Sequence, residues 1–262
     1  MLRKTMLIVV LTFLSALRGD EPKAGEKVVF HDPFSGKLAA GWTWVRKWPD
    51  PAVSAIAGAA MPKSWKVFKD GLVIRVLPGD LYAKTNDSSN ILLRPLPKLG
   101  DQPWAIEVFL RSRPTAAYEH AGLIWYVDDD NYVGLFREFL GTKPQVLMVT
   151  EEKAAPTFHY AGSYPEQRIW LRLEVEDGKI TGKFRGDPED SWQTIGTSDL
   201  PLQGRAARAR VGLCTGGAPA GAYHFVRFRD FRILTHEKMK TEEIEEIKVE
   251  PKKSKDGPGK GK

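Results

Sequence analysis

Between Val28 and Leu234 the chain alternates apolar and polar residues in short runs, and Gly, Pro and Asp interrupt the runs. In the clearest run Ile169, Leu171, Leu173 and Val175 face one way, while Trp170, Arg172, Glu174 and Glu176 face the other. A side-chain period of two predicts half-buried β-strands. The same reading places strands over Val28–Phe30, Gly71–Leu77, Asn90–Arg94, Trp104–Arg111, Gln145–Thr150, Lys179–Arg185, Ser191–Gly196, Ala209–Thr215 and Tyr223–Leu234. Asp177-Gly178 is a type I′ hairpin signal, because both central residues of that turn need positive φ. Long helical periodicity and internal repeats are both missing from this region. About a dozen short strands with such turns predict an all-β, antiparallel sandwich or barrel.

The stretch Glu119 to Glu138 (EHAGLIWYVDDDNYVGLFRE) predicts the central hairpin, with Asp128-Asp129-Asp130 as a three-residue loop. Val127 then pairs with Asn131, Tyr126 with Tyr132, Ile124 with Gly134 and His120 with Glu138. Leu123, Trp125, Val133 and Leu135 fall on the core face, and His120, Tyr126, Tyr132, Phe136 and Glu138 on the other. Rings beside charged groups suit a sugar, whose C–H faces stack on aromatics while its hydroxyls hydrogen-bond. The competing reading covers both sheet faces and makes these core tyrosines with a satisfied His–Glu pair.

Upstream, Trp42, Trp44, Arg46 and Trp48 share one side of an extended segment. Trp44 and Arg46 are further ligand candidates, although one or two of these tryptophans can equally pack under the sheet edge. Residues 49–64, small and Pro-interrupted, predict a long surface loop.

Charge changes the picture only at the ends. Residues 1–19 contain Arg3, Lys4 and Arg18 and no acid, and residues 236–262 contain eight lysines and seven acids. The remainder has 28 basic against 26 acidic groups, which gives no footprint for nucleic acid. Arg3 and Lys4 precede an apolar run from Met6 to Leu17, too short for the roughly 20 residues a membrane span requires. Residues 1–19 therefore read as a signal peptide, 20–235 as the folded domain and 236–262 as a charged tail. The expected address is secreted or periplasmic, with no transmembrane segment after signal removal. Cys214 is the sole cysteine and sits in a strand-like run, the setting of a buried small hydrophobe.

In their order and spacing, WTWVRKW, EHAGLIWYVDDDNYVGLF, IWLRLEVEDGKITGKF…SWQTIG and VRFRDFRIL resemble the concanavalin A-like domain at the C-terminus of bacterial β-xylosidases. They are similar also to stand-alone sandwich proteins related to that domain. The resemblance covers roughly residues 28–234. It implies a two-sheet antiparallel jelly roll of the lectin/glucanase type, associated with carbohydrate and not catalytic by itself.

The expected function is thus recognition of a polysaccharide or oligosaccharide through an aromatic and charged groove. The alternative is a glycoside hydrolase or lyase acting through Glu138, Glu119 or His120, and a third reading is a structural module that binds another protein. No E-x-D-x-x-E run, H-E-x-x-H, G-x-S-x-G or P-loop occurs. No cofactor is implied beyond a structural calcium near Asp32 and Asp230, or at the triple aspartate.

Overall fold

The computed structural model describes residues 25–45, 64–99, 102–202 and 208–236. Every regular element within them is a strand, and the seventeen strands are numbered in chain order. One sheet runs β15 (Gln193–Asp199), β14 (Lys179–Arg185), β13 (Arg168–Glu176), β8 (Trp104–Arg111), β17 (Phe225–His236), β4 (Gly71–Arg75) and β3 (Trp65–Phe68). In that sheet β1 (Glu26–Asp32) also pairs with β17. The other sheet runs β12 (Ala155–Ser163), β11 (Lys143–Glu152), β10 (Asn131–Leu140), β9 (His120–Asp128), β16 (Arg210–Gly216), β7 (Asn90–Pro95) and β2 (Thr43–Trp44). A two-stranded flap, β5 (Leu81–Tyr82) and β6 (Thr85–Asn86), stands apart from both. All the pairings are antiparallel. Among the described residues no helix is long and apolar enough to cross a membrane.

The core lies between the sheets and follows the alternation. Leu123, Trp125, Val133 and Leu135 of the hairpin meet Ile106, Val108, Leu110, Ile169, Leu171 and Leu173 of the opposite sheet, all at most 1% exposed. Each such side chain contributes roughly 1.5–3 kcal/mol by leaving water. Asp177 (φ 48°) and Gly178 (φ 75°) form the predicted turn between β13 and β14.

Three elements escape the hydrophobic pattern. Strands β3 and β12 lie at sheet ends, where one side has no partner and polar residues are tolerated. The flap is too short to carry a period. At the hairpin tip, Tyr126↔Tyr132, Ile124↔Gly134 and His120↔Glu138 pair as expected, but Asn131 pairs with Asp128 and not with Val127. The loop is thus tighter than three residues, and a bulge at Asn131/Tyr132 absorbs the difference.

Two outward residues of β13 are not solvated as the pattern suggests. Trp170 is 5% and Arg172 2% exposed. Arg172 binds Glu107, Glu26 (3.0 Å) and Glu174 (2.9 Å), and Lys183 adds a second cation on Glu174 at 3.0 Å. Burial pulls the Arg172 guanidinium down, but its three carboxylates outweigh this and hold it above its ordinary value. Long side chains have roofed a sheet face with one another.

Candidate functional site

The site is built on the outer face of the seven-stranded sheet, where β9, β10 and β11 lie side by side. Alternation puts His120, Tyr132, Phe136 and Glu138 on that face, as the hairpin register predicts. The rings are not open platforms, however. Tyr132 is 1%, Tyr126 4% and Phe136 5% exposed, and they belong to a second apolar cluster with Leu81, Leu147, Val149 and Cys214.

The cover over Tyr132 is the flap. Tyr132 donates its hydroxyl to the Leu81 carbonyl, Ala83 N–H donates to Glu151 Oε2 at 3.0 Å, and Asn86 Nδ2 donates to Asp130 Oδ1 at 2.7 Å. Burial, then the nearby Glu151 carboxylate, push the Tyr132 phenol above its usual range, so it stays a neutral donor. Tyr126 lies off the cleft, with its hydroxyl donated to Asp129 Oδ1 at 2.8 Å. The triple aspartate therefore braces its own turn and the flap. Asp128 Oδ1 accepts from Asp130 N–H at 3.1 Å and from Asn131 Nδ2 at 2.6 Å.

Beside the flap the face opens into a cleft of about 380 Å³, lined by Asp80, His120, Tyr132, Phe136, Glu138 and Phe158 among others. Tyr82, Tyr118 and Tyr160 form its rim and are 47%, 62% and 54% exposed. Each is fixed by the strand or loop that bears it. Phe158 and Tyr160 stack on β12 with planes 16° apart, and Tyr82 meets Phe158 at 6.0 Å. Tyr118 sits at φ 67°, just before β9, with its N–H on the Phe139 carbonyl at 2.9 Å. Its own carbonyl lies 3.0 Å from His120 Nδ1, which orients the imidazole.

Glu138 is perturbed as well. Burial, then the charge of Asp80, push its carboxyl up to about 8. At neutral pH it is a protonated donor beside a second carboxyl group. The folded state thus holds a proton that the unfolded chain releases near 4.5, so stability falls as pH rises from there through about 8. Melting temperature should decline between about pH 5 and pH 9, and Glu138→Gln should flatten that decline. An unchanged slope in the variant would remove Glu138 from this role.

The remaining candidates divide. Trp44 faces the opposite way and packs on the inter-sheet core, with its ring 5.6 Å from that of Trp65. It therefore cannot share a groove with Tyr132. Arg46, Trp48 and the stretch 49–63, like residues 1–24 and 237–262, lie outside the described residues. Glu119 leaves the proposed catalytic trio. It is 3% exposed and accepts from Thr115 N–H, Ala116 N–H and His224 at 2.8, 3.1 and 3.0 Å, which organises the loop before β9. Cys214 is buried 4.0 Å from His120 Nε2, and burial pushes its thiol up to about 12, a poor nucleophile.

The calcium expectation meets an unsuitable donor set. Asp32 Oδ1 accepts from Phe34 N–H, and Oδ2 from Ala39 N–H and Trp42 Nε1, each at 2.8 Å. Hydrogens pointing at both oxygens suit a carboxylate and repel a cation. Asp230 is near in register but turns to His31 at 3.1 Å. Among the described residues no three His, Cys, Asp or Glu groups are placed to hold a metal.

Asp80, Tyr82, Tyr118 and Tyr160 were not singled out by the sequence pattern.

Residues 64–233 match the family model of the β-xylosidase C-terminal concanavalin A-like domain. No curated protein matches the chain. Among solved structures, the GH43 protein BlXynB of Bacillus licheniformis superposes with a TM-score of 0.64 at 17% identity, over 79% of this chain and 39% of that one. The xylan β-1,4-xylosidase of Bacillus halodurans C-125 gives 0.57 at 19%, over 78% and 38%. A functionally unknown protein from Saccharomyces cerevisiae gives 0.56 at 17%, over 68% of this chain and 94% of that one. The chain thus spans about two fifths of the two bacterial proteins and nearly all of the yeast one, and at these identities the likeness concerns the fold. The two-sheet architecture, its register and the match over residues 64–233 place this chain in the β-xylosidase C-terminal concanavalin A-like domain family.

Proposed function

We propose that the chain is a carbohydrate-binding protein without catalysis of its own, whose ligand enters the cleft between the flap and β12. One observation carries this reading. Among the described residues, three of the five large hydrophobic side chains that stand exposed, Tyr82, Tyr118 and Tyr160, ring a single cleft. Exposed tyrosines offer flat amphipathic surfaces to sugar C–H faces at low entropic cost. Glu138, Asp80 and His120 stand below them as hydroxyl partners. A volume of about 380 Å³ is at the small end of ligand sites, about 300–1,000 Å³, so a terminal or branching sugar fits better than a long chain.

Calorimetric titration with xylo-oligosaccharides and other neutral oligosaccharides tests the reading. Tyr118→Ala and Tyr160→Ala should each weaken binding roughly tenfold with the melting temperature unchanged, since neither ring is buried. Equal affinity for parent and variants would remove the cleft as the site.

A second reading has its own support. A protonated Glu138 beside Asp80 pairs an acid with a second carboxyl group, the combination that glycoside hydrolysis uses. It expects reducing-sugar release from a polysaccharide panel that Glu138→Gln abolishes. No release by the parent rejects it.

The apolar run behind Arg3 and Lys4 also supports an exported protein. Cleavage near residue 19 should appear in the intact mass of the mature chain, and a full-length mass in the cytosolic fraction would contradict export.

A further inference from the structure

The opposite side of the molecule carries a second arrangement that the cleft does not use. On the outer face of the eight-stranded sheet, Arg168 of β13 pairs with Arg111 of β8, and Arg111 with Arg227 of β17. Arg227 is registered with Val73 of β4, and Val73 with Lys66 of β3. Directly paired residues share a face, so four cations and one valine form a row across five strands. At a strand spacing of about 4.8 Å the row is about 19 Å long.

Like charges placed directly opposite one another destabilise a sheet. The fold does little to neutralise these. Arg111, Arg168 and Lys66 are exposed, and among the described residues Arg111 and Arg168 have no ion-pair partner. Among the described residues the ion-pair partner of Arg227 is Asp70, whose side chain is itself 68% exposed, and its guanidinium also lies 5.9 Å from the Phe68 ring centroid. Behind the row lies a second one, Arg185, Trp170, Phe109 and Arg229. Its guanidiniums lie over its rings, Arg229 at 4.5 Å from the Phe109 centroid and Arg185 at 5.5 Å from that of Trp170. Phe109 and Trp170 are therefore only 8% and 5% exposed.

We propose that the Arg168–Arg111–Arg227–Lys66 row is a docking track for an acidic polysaccharide, a chain with a carboxylate on successive sugar residues. An extended polymer laid across the strands meets a cation at nearly every strand, and the arginine fork matches carboxylate geometry. Single-stranded nucleic acid is the poorer fit, because its binders stack bases on open aromatic rings and the rings here are lidded. The row is independent of the cleft and lies on the other sheet.

The test uses the full chain with polygalacturonate as probe, by affinity electrophoresis and calorimetry at low and raised salt. Binding should weaken as salt rises. Arg111→Gln/Arg168→Gln should lose about tenfold or more in affinity at low salt. Lys98→Gln/Lys153→Gln, with the same charge change elsewhere, should bind like the parent. Polygalacturonate binding that is absent in the parent, equal in both charge variants, or weaker than that of duplex DNA would overturn the proposal. Circular dichroism of the arginine variant separates lost binding from lost fold, and the single Arg111→Gln serves if the pair unfolds.

Discussion

Arg172→Ala is expected to lower the unfolding free energy by about 3–5 kcal/mol at neutral pH, because it leaves buried carboxylates without their cation. Glu107 is 4% exposed, and the side chains of Glu26 and Glu174 are 8% and 23% exposed. Burial pushes the Glu174 carboxyl up, but Arg172 and Lys183 outweigh that and hold it below its ordinary value. Its contribution is therefore present above the unfolded value and lost as pH falls through the folded one. In the variant the uncompensated carboxylates can take up protons, so the deficit should be largest near pH 7 and shrink toward about pH 4. Paired urea titrations of parent and variant at the two pH values measure this. A deficit that does not change with pH would mean that lost packing, not charge, is what Arg172 supplies. His236 adds a detail to the cluster. Its Nε2 lies 2.7 Å from Arg172 Nη2, and burial, then that guanidinium, push the imidazole down, so it accepts as a neutral ring.

The second large effect lies at Arg137, on the core face of β10 and 1% exposed. Its Nη1 donates to the Ser112 carbonyl and hydroxyl at 3.0 and 3.2 Å, and its Nη2 to the Tyr164 and Pro165 carbonyls, both at 3.3 Å. One guanidinium thus ties β10 to two loops, β8–β9 and β12–β13, that cross between the sheets. Burial lowers it to about 10, which leaves it fully charged at any neutral pH. Arg137→Leu keeps apolar bulk but strands these acceptors, so about 2–4 kcal/mol should be lost. Here the deficit should be the same at about pH 5 and pH 8, since the partners are neutral. A pH-dependent loss would point to Glu119 or Glu166, whose charges also favour the cation, as the real partners. The two arginines are similar in burial and opposite in surroundings, and pH alone distinguishes them.

Alternation in Trp104–Arg111, in the 119–138 hairpin and in Ile169–Glu176 was enough to place strands β8, β9, β10 and β13 and to assign their core faces. A period of two is imposed by the backbone, and one slipped residue would turn Leu123 and Trp125 away from the inter-sheet core. The Asp177-Gly178 turn was equally legible, because only a few residues accept positive φ at both positions. What local pattern could not supply was the cover on the outer faces. Whether Tyr132 was an open ring or a covered one was decided only by the flap that lies over it at Leu81, and Arg172 read as outward-facing until Glu26 of β1, Glu107 of β8 and Glu174 of its own strand closed around it.

The sequence by itself determined the central strands of both sheets, their inward faces and the opposition of His120 to Glu138, since all of these follow from neighbours along the chain. Only the tertiary structure decided which outward groups meet. Asp80 and Tyr82 come from the segment joining β4 to β7, Tyr118 precedes β9 and Tyr160 belongs to β12, so their convergence on one cleft depends on strand order, not on spacing in the chain. The same holds for the arginine row, whose members are scattered from Lys66 to Arg227 and become neighbours only through cross-strand register.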